Sequence, residues 1–129
     1  CLSAHRAHEA LSEFVSECNQ NDTEAIICAA GMAAALPGVV AAQTVIPVIG
    51  VPLSASVLDG MDALMSIVQM PPSIPVATVG INGAKNAAWL ALNIIGNKHS
   101  DVKEKLIAYR KKLAEDAAKT NEEIIEKYK

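Results

Sequence analysis

Glu24-Ala-Ile-Ile-Cys-Ala29 and Pro47-Val-Ile-Gly-Val-Pro52 are short apolar runs set apart by turn-forming and small residues. Each is too short for a buried helix and contains β-branched residues, so each reads as a strand covered on both faces. Val76-Ala-Thr-Val79 follows the breaker Met70-Pro-Pro-Ser-Ile-Pro75 and reads as a third strand.

Helical patterns alternate with these runs. Leu11, Phe14, Val15 and Cys18 mark one face of a helix over Ala7 to Cys18, followed by a polar turn at Asn19 to Thr23. A small-residue loop from Gly31 to Gly38 leads into a helix from about Leu36 to Thr44. Ser54 to Gly60 is a loop, with Asp59 expected to cap a helix through Met61, Leu64, Met65, Ile67 and Val68. Asn82 to Ile95 is helical and ends at Gly96, and Ser100-Asp101 is expected to cap a last helix with the stripe Val102, Leu106, Tyr109, Leu113. The alternation predicts an α/β three-layer sandwich with a parallel sheet and an extended C-terminal helix. One domain over residues 1–129 is expected, with a body at 1–96 and a helix at 97–129 that reaches beyond it toward another subunit.

Composition narrows the function. Half of the chain (51%) is hydrophobic but only 3% is aromatic, so aliphatic residues must fill the core. The net charge of −3 argues against a basic surface that binds nucleic acid. Between Ala25 and Gly96 the only charges are Asp59, Asp62 and Lys85, yet Gly, Pro and Ser interrupt this section too often for a membrane span. Cys1, Cys18 and Cys28 are odd in number and lack CxxC spacing, so neither a disulfide framework nor a zinc site is expected. With no secretory signal visible, a reducing cytoplasm is the expected location.

In open parallel sheets ligands bind at the carboxyl ends of the strands. Two stretches are placed there: Ser3-Ala-His-Arg6, if Cys1-Leu2 ends a strand, and Ala30 to Gly38. Imidazole moves protons near neutral pH, and guanidinium grips phosphate or carboxylate, so His5-Arg6 suits a small anionic substrate. A solvated pair at a helix start explains the same dipeptide. His8 shares a helix face with His5, but no clear carboxylate set completes a metal site, and His99 reads as solvated in a polar turn. The stretch Ala29 to Gly38 offers backbone N–H groups to an anion, or simply a close helix–sheet crossing. Asp59 and Asp62 read as helix-start acids, and Met61, Met65 and Met70 as core or interface.

Several segments together resemble a known family: Ser3-Ala-His-Arg6, Ala33-Ala-Ala-Leu-Pro-Gly38, Pro47-Val-Ile-Gly-Val-Pro52, Leu58-Asp-Gly-Met-Asp-Ala-Leu64, Ser66-Ile-Val-Gln-Met-Pro71, Pro75-Val-Ala-Thr-Val79 and Asn86-Ala-Ala-Trp-Leu-Ala91. In this order they are similar to the class I 5-(carboxyamino)imidazole ribonucleotide mutases of purine biosynthesis (PurE). The resemblance implies a flavodoxin-like fold, a homo-octamer, no metal or organic cofactor, and interconversion of 5-(carboxyamino)imidazole ribonucleotide with 4-carboxy-5-aminoimidazole ribonucleotide. It implies that His5 transfers the proton, that Arg6 contacts the substrate phosphate, and that Ser3, Ala4, Ala33, Ala34, Ala35 and Leu36 occupy substrate-loop positions.

The sequence departs from the family pattern in three ways. Ala35 stands where the family has a histidine. Ala7-His8 stands in place of Thr-Pro. The strand and Gly-Ser-x-Ser-Asp loop that open the family pattern are not within these residues; without that strand, strand edges and apolar surface would be exposed. The competing expectations are a non-catalytic scaffold of the same fold and a carboxylase that uses CO2 directly. Arg6 and Gln69-Met-Pro71 favour the mutase over the carboxylase.

Overall fold

The computed structural model describes residues 1–55 and 57–129. Ser56, within the expected loop before the third helix, lies outside the described residues. The elements in chain order are α1 (His8–Gln20), β1 (Ile26–Gly31), α2 (Leu36–Ala41), β2 (Val48–Leu53), α3 (Met61–Val68), β3 (Ala77–Thr78), α4 (Ala84–Ile95) and α5 (Ser100–Lys127). The strands form a parallel sheet in the order β1-β2-β3. This is the expected α/β arrangement of flavodoxin-like kind, with the long C-terminal helix in place.

Alternation along the strands divides the core between two faces. Ile26, Cys28 and Val48 pack with Leu11, Val15 and Cys18 of α1 and with Val40 of α2. Ile49 and Val51 turn the other way, onto Ala87, Leu90 and Ile94 of α4. A smaller cluster joins Ala34 to Ala63 and Ile67 of α3. The helix α5 packs on α4, where Tyr109 stacks on Trp89 with ring centroids 4.5 Å apart and planes 20° apart. None of its residues is buried. No helix among the described residues is long and apolar enough to cross a membrane.

The strand β2 is buried along almost its whole length, and Gly50 is its point of closest approach. A Cβ at Gly50 would lie 2.4 Å from Ile67 Cγ2 and 3.0 Å from Val76 Cγ1. The glycine therefore lets α3 sit directly on the sheet. Pro52 has no N–H to give a neighbouring strand, but β3 ends at Thr78, which pairs with Gly50, so the ladder loses no bond there. Beyond it, Asn82 N–H donates to Pro52 O at 2.8 Å and closes the turn.

Several boundaries and caps differ from expectation, each for a tertiary reason. The strand β1 begins two residues late because Glu24 is drawn into an ion cluster, where Lys98 Nζ lies 3.0 Å and His99 Nε2 2.8 Å from its carboxylate oxygens. His99 is thus paired rather than solvated. It is also the N-cap of α5, in extended backbone, while Ser100 is already helical and makes no capping bond. Asp59 does not cap α3. The N-cap is Gly60 at φ +89°, preceded by Asp59 at φ +52°, and a Cβ at Gly60 would meet Ile81 Cγ2 at 2.7 Å. Asp62 instead accepts from the Ala63 N–H at 2.9 Å. The helix α2 stops at Ala41, short of Thr44, and Gly96 ends α4 in right-handed rather than left-handed backbone. Cys1-Leu2 forms no strand, because no strand lies beside it to pair with.

Two stability measurements follow. Gly50→Ala overpacks the sheet–α3 contact and is expected to cost about 1–3 kcal/mol in urea unfolding. Gly80→Ala, where nothing lies within 4 Å of the added carbon, should be close to neutral. The hydrogen bond from Lys98 is the main cause holding the Glu24 carboxyl below its ordinary value of 4.5; partial burial opposes it and His99 adds to it. A depressed carboxylate stabilises the fold above its unfolded pKa and loses that contribution as pH falls through the folded one. Glu24→Gln should therefore lower the urea midpoint at pH 6, and the difference from the unsubstituted chain should shrink below about pH 4.5.

Candidate functional site

The first segment is a turn at the head of α1. Ala7 N–H donates to Ser3 O at 2.9 Å, and Leu11 N–H donates to Ala7 O at 3.1 Å, so the turn runs directly into the helix. Leu2 and Ala4 pack against the α1–β1 core and anchor it. Just after these anchors His5 and Arg6 face solvent, while Ser3, between the anchors, is half-buried. Arg6 Nε donates to Ser3 Oγ at 3.4 Å, and the terminal guanidinium nitrogens of this exposed side chain make no hydrogen bond among the described residues. Among the described residues nothing hydrogen-bonds the His5 ring, so both of its nitrogens are available to a ligand. His8 is the exposed first residue of α1.

The second segment leaves the carboxyl end of β1. Met32 takes a left-handed backbone, φ 55°. Two tight turns follow, with Ala34 N–H donating to Met32 O at 2.9 Å and Ala35 N–H to Ala33 O at 2.7 Å. Those two amides are therefore committed within the loop. Of the expected ligand-facing residues, Ala33 is exposed and Ala35 and Leu36 are half-buried, but the Ala34 methyl is only 2% exposed and packs on Ala63 and Ile67. Ala34 acts as the loop's anchor, and any contact it makes with a ligand must come from its backbone.

Topology brings the two segments to one end of the sheet. The connection from α1 to β1 spans residues 21–25, short enough that the two elements run in opposite directions. The start of α1 therefore lies at the end where β1 finishes. Leu2, Ala4 and Leu36 pack against the same buried cluster, which ties the two segments together beneath the surface.

One residue near this end was not singled out for the site from sequence. Met70 places its sulfur 3.3 Å from where a Cβ of Gly38 would sit, so the thioether fills the space beside the first turn of α2. The Gln69-Met70-Pro71 stretch thereby holds the second segment from behind. Its sequence signal was the pairing of a small residue with a flexible gap-filling one, visible only once both were placed. Among the cysteines, Cys1 is exposed while Cys18 and Cys28 are buried and free. Burial, with Cys18 nearby, pushes the Cys28 thiol up to about 11, as suits a core residue rather than a nucleophile.

Small apolar residues, an imidazole with no partner among the described residues and an exposed guanidinium thus share the carboxyl end of a parallel sheet. Residues 1–116 match the family model described as AIR carboxylase. The chain is 59% identical over 109 residues to the N5-carboxyaminoimidazole ribonucleotide mutase of Pyrococcus abyssi, covering 84% of this chain and 63% of that protein. It is 51% identical over 126 residues to the protein of the same name from Pyrococcus horikoshii, covering 95% and 71%. A phosphoribosylaminoimidazole carboxylase from Candida glabrata is 46% identical over 126 residues, covering 98% of this chain but 21% of that longer protein. The chain spans just under two thirds of the first of these relatives. On the extent of these matches, the chain belongs to the AIR carboxylase family.

Proposed function

We propose that this chain carries the mutase activity named for its Pyrococcus relatives, the interconversion of 5-(carboxyamino)imidazole ribonucleotide and 4-carboxy-5-aminoimidazole ribonucleotide. The observation that carries this reading is the juxtaposition of Ser3–Arg6 with Ala33–Leu36 at one sheet end, inside the stretch matched by the family. Arg6 binds the substrate phosphate, with Ser3 fixing one of its nitrogens. Ser3, Ala4, Ala33, Ala35 and Leu36 line the base and ribose, and Ala34 contributes its backbone.

In this mechanism the N–carboxylate bond breaks and CO2 is released into a space walled by small apolar groups, which keep water out. His5 supplies a proton to the freed nitrogen. The ring carbon then attacks the retained CO2, and its proton passes to His5, restoring the imidazolium. The net change moves one carboxylate from nitrogen to carbon and one proton the other way, with no oxidant and no metal required. Phosphate binding holds the substrate remote from the reacting atoms. With Ala35 and not histidine in the second loop, His5 is the imidazole on which the proton transfer rests.

A homo-oligomer in the cytoplasm accords with this reading. The exposed apolar residues Ile107, Leu113, Ile124 and Ile125 of α5 supply a surface for further copies. The Candida relative motivates a second reading, direct carboxylation with CO2.

Both readings meet in one assay. The purified chain is given the carboxyamino substrate, and formation of the carbon-carboxylated product is followed with and without added bicarbonate. Mutase turnover is expected to be independent of bicarbonate. Turnover that requires bicarbonate and the uncarboxylated ribonucleotide would establish the carboxylase instead, and a folded chain with neither activity would establish a scaffold. His5→Asn is expected to lower kcat by about 10²–10⁴-fold with the circular dichroism spectrum unchanged.

A further inference from the structure

Lys85 has no part in the candidate site, yet it is the one Lys or Arg between Ala25 and Gly96. It stands exposed in the first turn of α4. Together with Arg110 of α5 it lines a cavity of about 410 Å³ between the two helices. An adjoining cavity of about 300 Å³ shares Asn93, Leu106 and Arg110 with the first and adds Lys103. No acidic side chain lines either one, although the chain as a whole carries a net charge of −3. The helix α4 covers Ile49 and Val51, whereas Leu2 and Ala4 pack with α1 on the other face of the sheet. The cavity and the Ser3–Arg6 turn are therefore separate places.

The pairing pattern sets these cations apart. Elsewhere on α5, Lys105 lies 3.8 Å from Asp101 and Lys111 lies 4.0 Å from Glu115. Lys85, Lys103 and Arg110 have no ion pair among the described residues. The side-chain amides of Asn86 and Asn93 and the Tyr109 hydroxyl, all on the larger cavity, likewise make no hydrogen bond among the described residues. An exposed lysine by itself needs no partner. What distinguishes these groups is that they converge on one cavity, beside the stacked rings of Trp89 and Tyr109 and the side chain of Leu106. An apolar surface with a few convergent polar groups is the usual make-up of a small-molecule site, and a gap between helices is a usual place for one.

We propose that the α4–α5 cavity is a second binding site, separate from the candidate substrate site, for a phosphate monoester carried on a flat heteroaromatic ring, as in a nucleoside monophosphate. The charge balance selects the phosphate. Two cations with no acid beside them match a group that carries about −1.5 to −2 at neutral pH. Arg110 can grip two of its oxygens at once, and Lys85 adds a mobile point charge. The Trp89–Tyr109 pair and Leu106 supply apolar surface for the ring. Asn86 and Asn93 each offer both a donor and an acceptor to its edge or to ribose hydroxyls. The volume of about 410 Å³ lies in the range of small-molecule pockets.

Trp89 is the single tryptophan of the chain, so its fluorescence reports on this cavity directly. The whole chain is titrated with adenosine 5′-monophosphate, excited at the red edge of the tryptophan absorption, where adenine is transparent. A saturable change with a Kd below about 1 mM is expected. Adenosine and inorganic phosphate, each holding half of the recognised chemistry, should bind at least about ten-fold more weakly. Lys85→Gln and Arg110→Gln, both at exposed positions, should each raise the Kd about ten-fold with the circular dichroism spectrum unchanged. Arg6→Gln should leave the titration as it is. The proposal is overturned by no saturable change up to about 10 mM nucleotide, by equal binding of adenosine or of phosphate, by unaltered affinity in the two glutamine variants, or by loss of binding in Arg6→Gln. Tighter binding of a peptide of about eight glutamates would make an acidic protein segment the occupant instead. Emission that shifts with protein concentration alone would show that another copy covers the cavity, and would likewise overturn it. The mutase reading is decided by its own assay, since Lys85 and Arg110 take no part in it.

Discussion

The parallel pairing of β1 with β2, and the close seating of α3 on Gly50, are the constraints on which the remaining structure depends. The register Ile26↔Val48 through Gly31↔Leu53 sets which side chains enter each face of the core. It also sets where β1 stops, and therefore where the Met32–Leu36 loop begins. Gly50 then determines how near Ile67 and α3 come to the sheet, and Ile67 in turn receives Ala34. A chain of contacts thus runs from the middle strand to the anchor of the candidate substrate loop. Interiors packed this densely transmit small displacements instead of absorbing them.

The candidate site has a division of labour that follows from this. Its candidate reactive groups, His5 and Arg6, lie on an exposed turn whose neighbours Leu2 and Ala4 are held by the core. Its second wall consists of methyl groups and peptide bonds, held by Ala34 in front and Met70 behind. Such a site contributes position and exclusion of water more than side-chain chemistry. That suits the proposed reaction, in which a carboxylate is moved within one molecule and a single proton is shuttled.

A different kind of interaction locks the far end of the sheet. Glu24, just before β1, joins Lys98 and His99 at the junction of α4 and α5. This contact spans 75 positions of sequence and fixes the C-terminal helix to the strand that carries the candidate loop. Beyond the Trp89–Tyr109 stack, α5 continues as an exposed helix on which Leu113, Ile124 and Ile125 are about half exposed. The chain is thus closed and well packed on its β2 side and open along α5.

The sequence by itself determined the class of fold, because periodicity and short β-branched runs are local properties of the chain. The runs at Glu24–Ala29, Pro47–Pro52 and Val76–Val79 all became strands, and Leu11, Val15 and Cys18 of α1 and Ile67 of α3 face the core, whereas Phe14, Met61, Met65 and Val68 of the same apolar patterns stay exposed. It also marked Ser3–Arg6, through the chemistry of those residue types and their resemblance to a family. Tertiary structure alone decided the rest. That Gly60 rather than Asp59 caps α3 depends on Ile81, twenty-one positions further on in the sequence. That His99 is paired depends on Glu24, and that Ala34 is an anchor rather than a ligand-facing wall depends on α3. The physical reason is the same in each case: a local pattern states what a residue can do, and only the groups brought beside it by folding decide which of those things it does.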